Sequence, residues 1–583
     1  MKKQDGFQNS WAGRLCWDFN FIKSAFLNVW FVPAAGFLLG CLTFILLYGL
    51  NPLRVTGSAW IFNGVIESDI LQHQAGWMFF RDSDWTWPLG LAQNMGYPFG
   101  VNIAFTDSIP LVSIFLKLFS GFFPEKFQFL GLYTMLTFGL QGAASALLIR
   151  IFTPDRLTAI LGSLLFIFSS CMLERAFRHT ALASHWLILF ALTLFFKQKK
   201  DPGALWFWLF GALNALAIGI HPYLFIMVLS LFFCMVFSTL LEKSQGNLSK
   251  RKVFFLSLIN LLIPLFVGYA IGILSGGQIR PAEGFGKYSL NLNHFLNPSA
   301  KGIEQWSLFL KKLPQIDGQE DGLYYVGAGI LLFTAGLLLI WLYKFFRDKD
   351  KKKYLKQLVF YGREYRFLWA LCLFLFLFAL SNRITLNDRI IFSYPLMEFI
   401  LYGCNIFRSS GRFYLWFLGV IVGIIRTFPR QKKIAILFLI VIQILDISPA
   451  LAYKYAYFRQ DFERPYLNPI WEEVGEKYSK MVDLGENRDV QLAGWIAEHH
   501  MRTNMVFSAP VHLDRFWEET AAYRDSLLAR IIDGQELEED TVYIFDDENW
   551  LHAITDGLNP HYEVIKTDNY YRIYYLILPK ETD

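Results

Sequence analysis

A polytopic α-helical membrane protein with a small soluble α/β domain at its C-terminal end is the fold class that this chain predicts. Three observations predict it. Of 583 residues, 54% are hydrophobic and 18% charged, where an ordinary soluble domain carries roughly 25% charged residues. Apolar runs of membrane length recur as far as residue 448 and then stop. Basic residues fall in short clusters between those runs, without the continuous stripe that nucleic acid attracts, so no nucleic-acid partner is expected.

The first run, Phe31 to Leu50, carries no charge and is about twenty residues long, enough to cross a bilayer. It is too long for a signal-peptide core and no small-residue cleavage site follows it, so it reads as a retained span. Further spans are expected near 127–151, 157–173, 180–196, 204–220, 222–241, 253–275, 323–345, 366–381, 413–428 and 433–448, about eleven in all.

Topology turns on the short segment 109–123, bounded by Pro110 and Pro124. If it does not cross, the clusters at Lys2–Lys23, Arg150/Arg156, Lys197–Lys200, Lys243–Lys252, Lys344–Lys356 and Arg426–Lys433 share one face. If it crosses, every cluster after the first moves outside. The positive-inside rule selects the first arrangement, with a cytoplasmic N-terminus. Residues 1–449 then form the transmembrane part, with outer loops at about 51–126, 276–322 and 381–412, and residues 450–583 lie outside.

Within that last part, Asn504–Ala509, Thr541–Asp546 and Tyr570–Leu578 read as strands, and Tyr523, Leu527 and Ile531 recur at helical spacing. It holds no nucleophile elbow, phosphate loop or metal motif, so a binding, capping or stabilising role is expected of it. The six Cys are scattered singly and read as packing residues. Gly36-x-x-x-Gly40 and Gly268-x-x-x-Gly272 suit close helix packing in lipid.

The chemistry-bearing residues collect in the outer loops. Glu67 and Asp69 open the first one, beside His73, Arg81 and a run of aromatics. In extended backbone, residues i and i+2 point the same way, so both carboxylates can face one pocket. Such a pair can hold a divalent cation (Mg or Mn) through oxygen ligands, or one member can act as general base; a solvated acidic loop is the plain alternative. Asp107 can join Asp69 or cap the helix expected from Ile109, a task for which Ser108 serves equally well. His179 and His221 stand at outer ends of spans, with His185 near them, placed to orient a substrate hydroxyl or to pack.

Arg280 and Lys287 lie in a Gly-rich loop, and Arg408 and Arg412 frame Ser409-Ser410-Gly411 just before a span. Arginine recognises phosphate through two parallel donors and lysine through a point charge. Interfacial snorkelling is the competing explanation for each of these cations alone. As a group on the outer face they run against the positive-inside bias, which favours a binding role.

A long first outer loop that opens with an acid-x-acid element resembles the polytopic glycosyltransferases of the GT-C superfamily. The string Asp69, Gln72-His73, Gly76-Trp77, Phe80-Arg81, Trp85-x-Trp87-Pro88 and Thr106-Asp107-Ser108-Ile109-Pro110-Leu111 is similar to a bacterial branch of such proteins. Arg178-His179, His185-Trp186, His221-Pro222-Tyr223 and Arg408–Phe413 continue the likeness. The resemblance implies a GT-C-like bundle at the outer face of the bacterial plasma membrane. It implies transfer of a sugar from a polyprenyl-phosphate donor to a lipid, glycan or protein acceptor. Asp69 would be the base or metal ligand, with Glu67 or Asp107 assisting, and Arg280, Lys287, Arg408 and Arg412 would receive the donor phosphate. A flippase for lipid-linked sugars and a non-catalytic membrane scaffold are the alternatives. Spans largely free of charge and the lack of visible repeat symmetry weigh against transport.

Overall fold

The structure, a computed structural model, describes residues 30–63, 69–241, 248–274, 279–280, 284–412, 433–464, 466–485, 490–507, 512–569 and 572–580. The protein is mostly helical, with a sheet-containing domain at its C-terminal end. Glu67 lies outside the described residues, as do most of the Arg426–Lys433 cluster and the span expected at 413–428.

Five helices among the described residues are long and apolar enough to cross a membrane. They are Trp30–Tyr48, Leu130–Phe152, Pro222–Leu241, Lys250–Ile271 and Ala328–Arg347. A sixth crossing is available if Ile436–Asp446 and Ser448–Tyr457, bent by 59° at their break, count as one span. The expected number of about eleven is therefore not confirmed among the described residues, which exclude the run at 413–428. The apolar runs near 157–173, 180–196, 204–220 and 366–381 do form helices, but of 12, 15, 17 and 15 residues. At 1.5 Å per residue these measure about 18–26 Å, short of a hydrocarbon core of about 30 Å. The first of them stops at Phe168 and resumes as the separate turn Ser170–Arg175. The segment beginning at Pro110 forms a helix of only 8 residues, Pro110–Lys117.

Small residues let two of the long helices touch. A Cβ on Gly36 would meet the Gly142 carbonyl oxygen at 2.4 Å, and one on Gly40 would meet that of Phe138 at 2.0 Å. The Trp30–Tyr48 helix therefore lies backbone-to-backbone on Leu130–Phe152, as small-residue spacing permits. The second such spacing works differently: Gly268 packs on the Ile218 side chain, and Gly272 ends its helix at φ +102°.

The C-terminal domain is built on a five-stranded sheet. Its spatial order is Tyr562–Asn569, Arg572–Pro579, Thr541–Phe545, Lys480–Asp483, Arg502–Thr503. The first three strands pair antiparallel and the last three parallel. Alternation along the strands fills two cores. Val542, Ile544, Tyr574 and Leu576 join the main core shared with the membrane part. Tyr543, Phe545, Tyr575 and Ile577 pack against Leu527, Ile531 and Ile554 of the helices Asp514–Ile532 and Glu548–Gly557.

The strand expected at 504–509 is displaced to Arg502–Thr503. Asn504 is the reason: its side chain accepts from Asp483 N and donates to Asp483 O, both at 2.8 Å, and so replaces the backbone ladder. The chain beyond it turns to the loop after the first long helix, where Gly96 N donates to Met505 O at 3.0 Å and Tyr97 N to Thr503 O at 2.8 Å. The helix Val490–Glu498 packs on the helix Asp69–Asp82, where a Cβ on Gly494 would come within 3 Å of Phe62 and Leu71. The sheet domain is thus fastened to the loop that carries Asp69.

Candidate active site

Six separate stretches of chain supply the polar residues that meet beside that loop. Asp69 opens the helix Asp69–Asp82, where an acid in the first turn is favoured by the helix dipole. His73 follows four residues later on the same face. Gly76 continues that face, and a Cβ there would fall 2.3 Å from Thr106 Oγ1 and 2.5 Å from Ser108 Oγ. Its missing side chain lets the 106–108 bend lie flat on the helix, with Ser108 Oγ donating to His73 O at 2.7 Å. Asp107 sits at the apex of that bend with φ 55°, and Ile109 follows at φ 53°.

His179 comes from the turn after Ser170–Arg175, where Phe177 also has positive φ (68°). His221 occupies the break between Ala204–Ile220 and Pro222–Leu241. Asp321 closes the one-turn helix Gln319–Asp321, and Arg412 closes Ser410–Arg412. A non-glycine residue in the left-handed region costs about 1–3 kcal/mol, and such strain concentrates at functional sites. Here Asp107 is itself such a residue, Ile109 follows two positions later, and Phe177 directly precedes Arg178 and His179.

A continuous chain of contacts joins these residues. His179 Nδ1 lies 3.2 Å from Asp69 Oδ2. His179 Nε2 accepts from the Arg412 guanidinium at 3.3 Å. The same Arg412 nitrogen donates to Asp321 Oδ2 at 2.8 Å, and Ser409 Oγ donates to that oxygen at 3.3 Å. With a guanidinium donor on one side and a carboxylate on the other, His179 carries its proton on Nδ1. Its pKa lies well below 6.5, lowered by burial and then by the Arg412, Arg175 and Arg178 charges. The ring is neutral and points its proton at Asp69.

Alongside runs a second pair: His221 Nε2 lies 3.4 Å from Asp107 Oδ1. Burial pushes the Asp107 carboxyl up, but the His221 hydrogen bond and the neighbouring His and Arg charges outweigh it and hold the group at about 2. His73 is fully buried, and neither ring nitrogen has a hydrogen-bond partner among the described residues. Burial lowers its pKa from 6.5 to about 4, against the pull of Asp107.

Asp321 is the acid that the sequence did not single out. Burial raises its carboxyl, yet the guanidiniums of Arg412, Arg175 and Arg178 hold it at about 2. Arg178 reaches Asp321 Oδ1 at 3.7 Å and pairs with Glu174, which also faces Arg175 Nε at 3.2 Å. Behind Arg412 stands the Tyr223 ring at 5.7 Å, and Tyr223 OH accepts from Ser409 N at 3.1 Å. Asp317-Gly-Gln-Glu-Asp321-Gly reads as a solvated turn, and only the buried arginines reveal the function of its last acid.

Of the residues expected to bind substrate, His73, His179, His221 and Arg412 converge here. Others do not. Arg81 donates to the carbonyls of Ser120, Phe123, Pro124 and Glu125 and so ties down the return of its own loop. Lys287 is half exposed and lies 3.9 Å from Asp317. Arg408 sits 5.2 Å from the centre of the Tyr288 ring. Arg280 belongs to a short strand that pairs with His512–Leu513. For a metal, Asp69 and His179 are the nearest imidazole–carboxylate pair within this cluster, and no three His, Cys, Asp or Glu among the described residues converge on one point.

Fold and cluster together define a polytopic membrane protein with a partly buried acid–imidazole–guanidinium site beneath a docked sheet domain. The chain belongs to the family described as Domain of unknown function (DUF6311), whose model matches residues 37–448; the DUF6311 C-terminal domain matches residues 470–575. No curated protein matches it. Among solved structures it is similar to the apo form of an Archaeoglobus fulgidus oligosaccharyltransferase, at 11% identity over 92% of this chain and 73% of that one, with a TM-score of 0.31. An overlap that loose transfers no residue roles.

Proposed function

We propose that this protein is a membrane glycosyltransferase of the outer face of the bacterial plasma membrane. It moves a sugar from a polyprenyl-phosphate donor to a lipid, glycan or protein acceptor. One observation carries the reading: Asp69 is held in place by a neutral His179, which is itself fixed by Arg412.

Transfer requires an acceptor hydroxyl to lose its proton as its oxygen bonds to the sugar C1. The bond from C1 to the phosphate oxygen breaks, and the polyprenyl phosphate leaves with the electron pair. Asp69 is the base. Its side chain is 37% exposed, so the carboxylate is open to a substrate while His179 fixes one oxygen. A positioned base of this kind contributes roughly 10²–10⁴-fold to rate. Arg412 receives the departing phosphate: its Nε is buried without a hydrogen-bond partner among the described residues, so a donor remains after its bonds to His179 and Asp321. Preformed donors at the point where charge develops stabilise the transition state without reorganisation. Asp107 and His221, with His73 behind them, form the wall that orients the acceptor. A divalent cation would be held by Asp69 together with Glu67 through oxygen ligands.

The experiment uses the full chain in bacterial membranes with radiolabelled polyprenyl-phosphate hexoses. Release of polyprenyl phosphate together with label in a new glycoside is the expected result. Donor that crosses the bilayer with its sugar still attached, and no phosphate released, would replace transfer by transport.

A further inference from the structure

Glu174 and Arg178, which brace the cluster around Asp321, also line a second space. A partly open cavity of about 30 Å³ is lined by these two residues, by Lys301 and Trp306 of the loop that leads to Asp321, and by Lys454 and Tyr457 of the helix Ser448–Tyr457. Asp69, Asp107, His179 and His221 take no part in it.

Three polar groups in its largely apolar lining are unsatisfied. Trp306 is 1% exposed, and its indole Nε1 has no hydrogen-bond partner among the described residues. The Tyr457 hydroxyl, also buried, has none among them either. The Lys454 side chain is buried, and its ammonium lies over the rings of Trp306 and Tyr48, at 5.8 and 5.9 Å from their centres. It makes no hydrogen bond or ion pair among the described residues. The one carboxylate in the lining, Glu174, is paired with Arg175 and Arg178 and acts on the Lys454 ammonium only through space.

An indole N–H and an ammonium can only donate, so the missing partner is an acceptor. A buried ammonium is stabilised further when this partner is negative. Water would satisfy the first demand, and an oxyanion answers both. One water-sized group needs about 10–15 Å³, so the cavity takes about two, the size of a pair of carboxylate or phosphate oxygens.

We propose that this cavity is an oxyanion subsite, and that it receives the carboxylate or phosphate group of the acceptor. The assignment to the acceptor rests on the transfer reading above, whereas the oxyanion chemistry does not. One of the two partners would be an acidic sugar and the other a phosphorylated one. Both offer what Trp306, Tyr457 and Lys454 lack.

Calorimetric titration of the full-length protein in phosphatidylcholine nanodiscs, with inorganic phosphate, D-glucuronate and D-glucose, tests this directly. Saturable binding of one or both anions and none of glucose is the expected result. Where only one anion binds, it identifies the acceptor's acidic group. Lys454→Met is expected to weaken binding by about tenfold or more, and Trp306→Phe by several-fold, as loss of a charge-assisted or buried donor predicts. Lys454→Gln, which keeps a polar side chain of similar length, guards against a folding defect and should weaken binding as well. No saturable binding of either anion, or equal binding in folded variants of both Lys454 and Trp306, overturns the proposal. Because turnover is not needed, a failure of the sugar-transfer assay leaves this result standing, and the reverse holds too.

Discussion

His179 Nδ1 stands 3.2 Å from Asp69 Oδ2, although the two residues come from separate stretches of the chain. The histidine is neutral and buried, and its other nitrogen is taken by Arg412. Its action on substrate is therefore indirect: it sets the direction in which the carboxylate points. Removing it should matter only while Asp69 is there to be positioned. His179→Ala is expected to lower turnover by about 10–100-fold, and the Asp69→Asn/His179→Ala pair to be no worse than Asp69→Asn alone, since groups acting as a unit are not additive. A double variant much slower than either single one would give His179 a role of its own.

His73 makes a prediction about pH and stability. The unfolded chain takes up a proton near pH 6.5, whereas the buried imidazole refuses it until about pH 4. Between those values the unfolded state binds more protons, so stability falls as the solution is acidified. The loss by pH 4 is on the order of 3 kcal/mol. Thermal unfolding of the detergent-solubilised protein should therefore depend less steeply on pH in His73→Leu over this window. An unchanged slope would mean that the native ring takes up its proton as readily as the unfolded one.

Gly76 holds the Asp107 bend against the helix. In Gly76→Ala the new methyl would have to displace Thr106 Oγ1 and Ser108 Oγ, which lie 2.3 and 2.5 Å from its position. Overpacking of this kind costs about 1–3 kcal/mol, read as a lower midpoint in thermal unfolding, together with reduced activity as Asp107 moves away from His221. Wild-type stability would show that the bend shifts freely.

Docking of the sheet domain carries a protonation switch. His500 Nδ1 lies 2.7 Å from Asp82 and its Nε2 3.2 Å from Glu125, so both nitrogens face carboxylates. Burial lowers the His500 pKa, but the two acids more than offset this and raise it above 6.5. A raised folded pKa means that the stabilisation is present at low pH and lost as pH climbs through that value. Hydrogen exchange at the amides of Gly96, Tyr97 and Thr503 should accelerate beyond its intrinsic rate on going from pH 6 to 8.5. In His500→Gln this pH dependence should disappear. The ring is nearly half exposed, so the effect is a modest one.

The outline of this structure was readable in the apolar runs. Each described run forms a helix, because twenty or so apolar residues have few other ways to satisfy their backbone. Their status as spans was less readable. Runs such as 157–173 and 180–196 are broken by Ser169 and Ser184, whose local hydrogen bonds end or delay a helix that hydropathy alone would extend. In the site, Asp69, Asp107, His179, His221 and Arg412 were visible as polar residues out of place beside membrane. Asp321 was hidden in an acidic, glycine-rich turn. Arg81 looked like a ligand for substrate, yet it satisfies four carbonyls of its own loop. Sequence shows that a cation is present; only packing shows which oxygens it serves.

Replacement of Asp69 by Asn tests the central claim most directly. Asparagine keeps the shape of the side chain and removes its basicity, while His179 can still donate to the amide oxygen. Release of polyprenyl phosphate from a labelled donor should fall by about 100-fold or more, with thermal unfolding unchanged. A well-folded Asp69→Asn protein that releases phosphate at the wild-type rate would contradict the account.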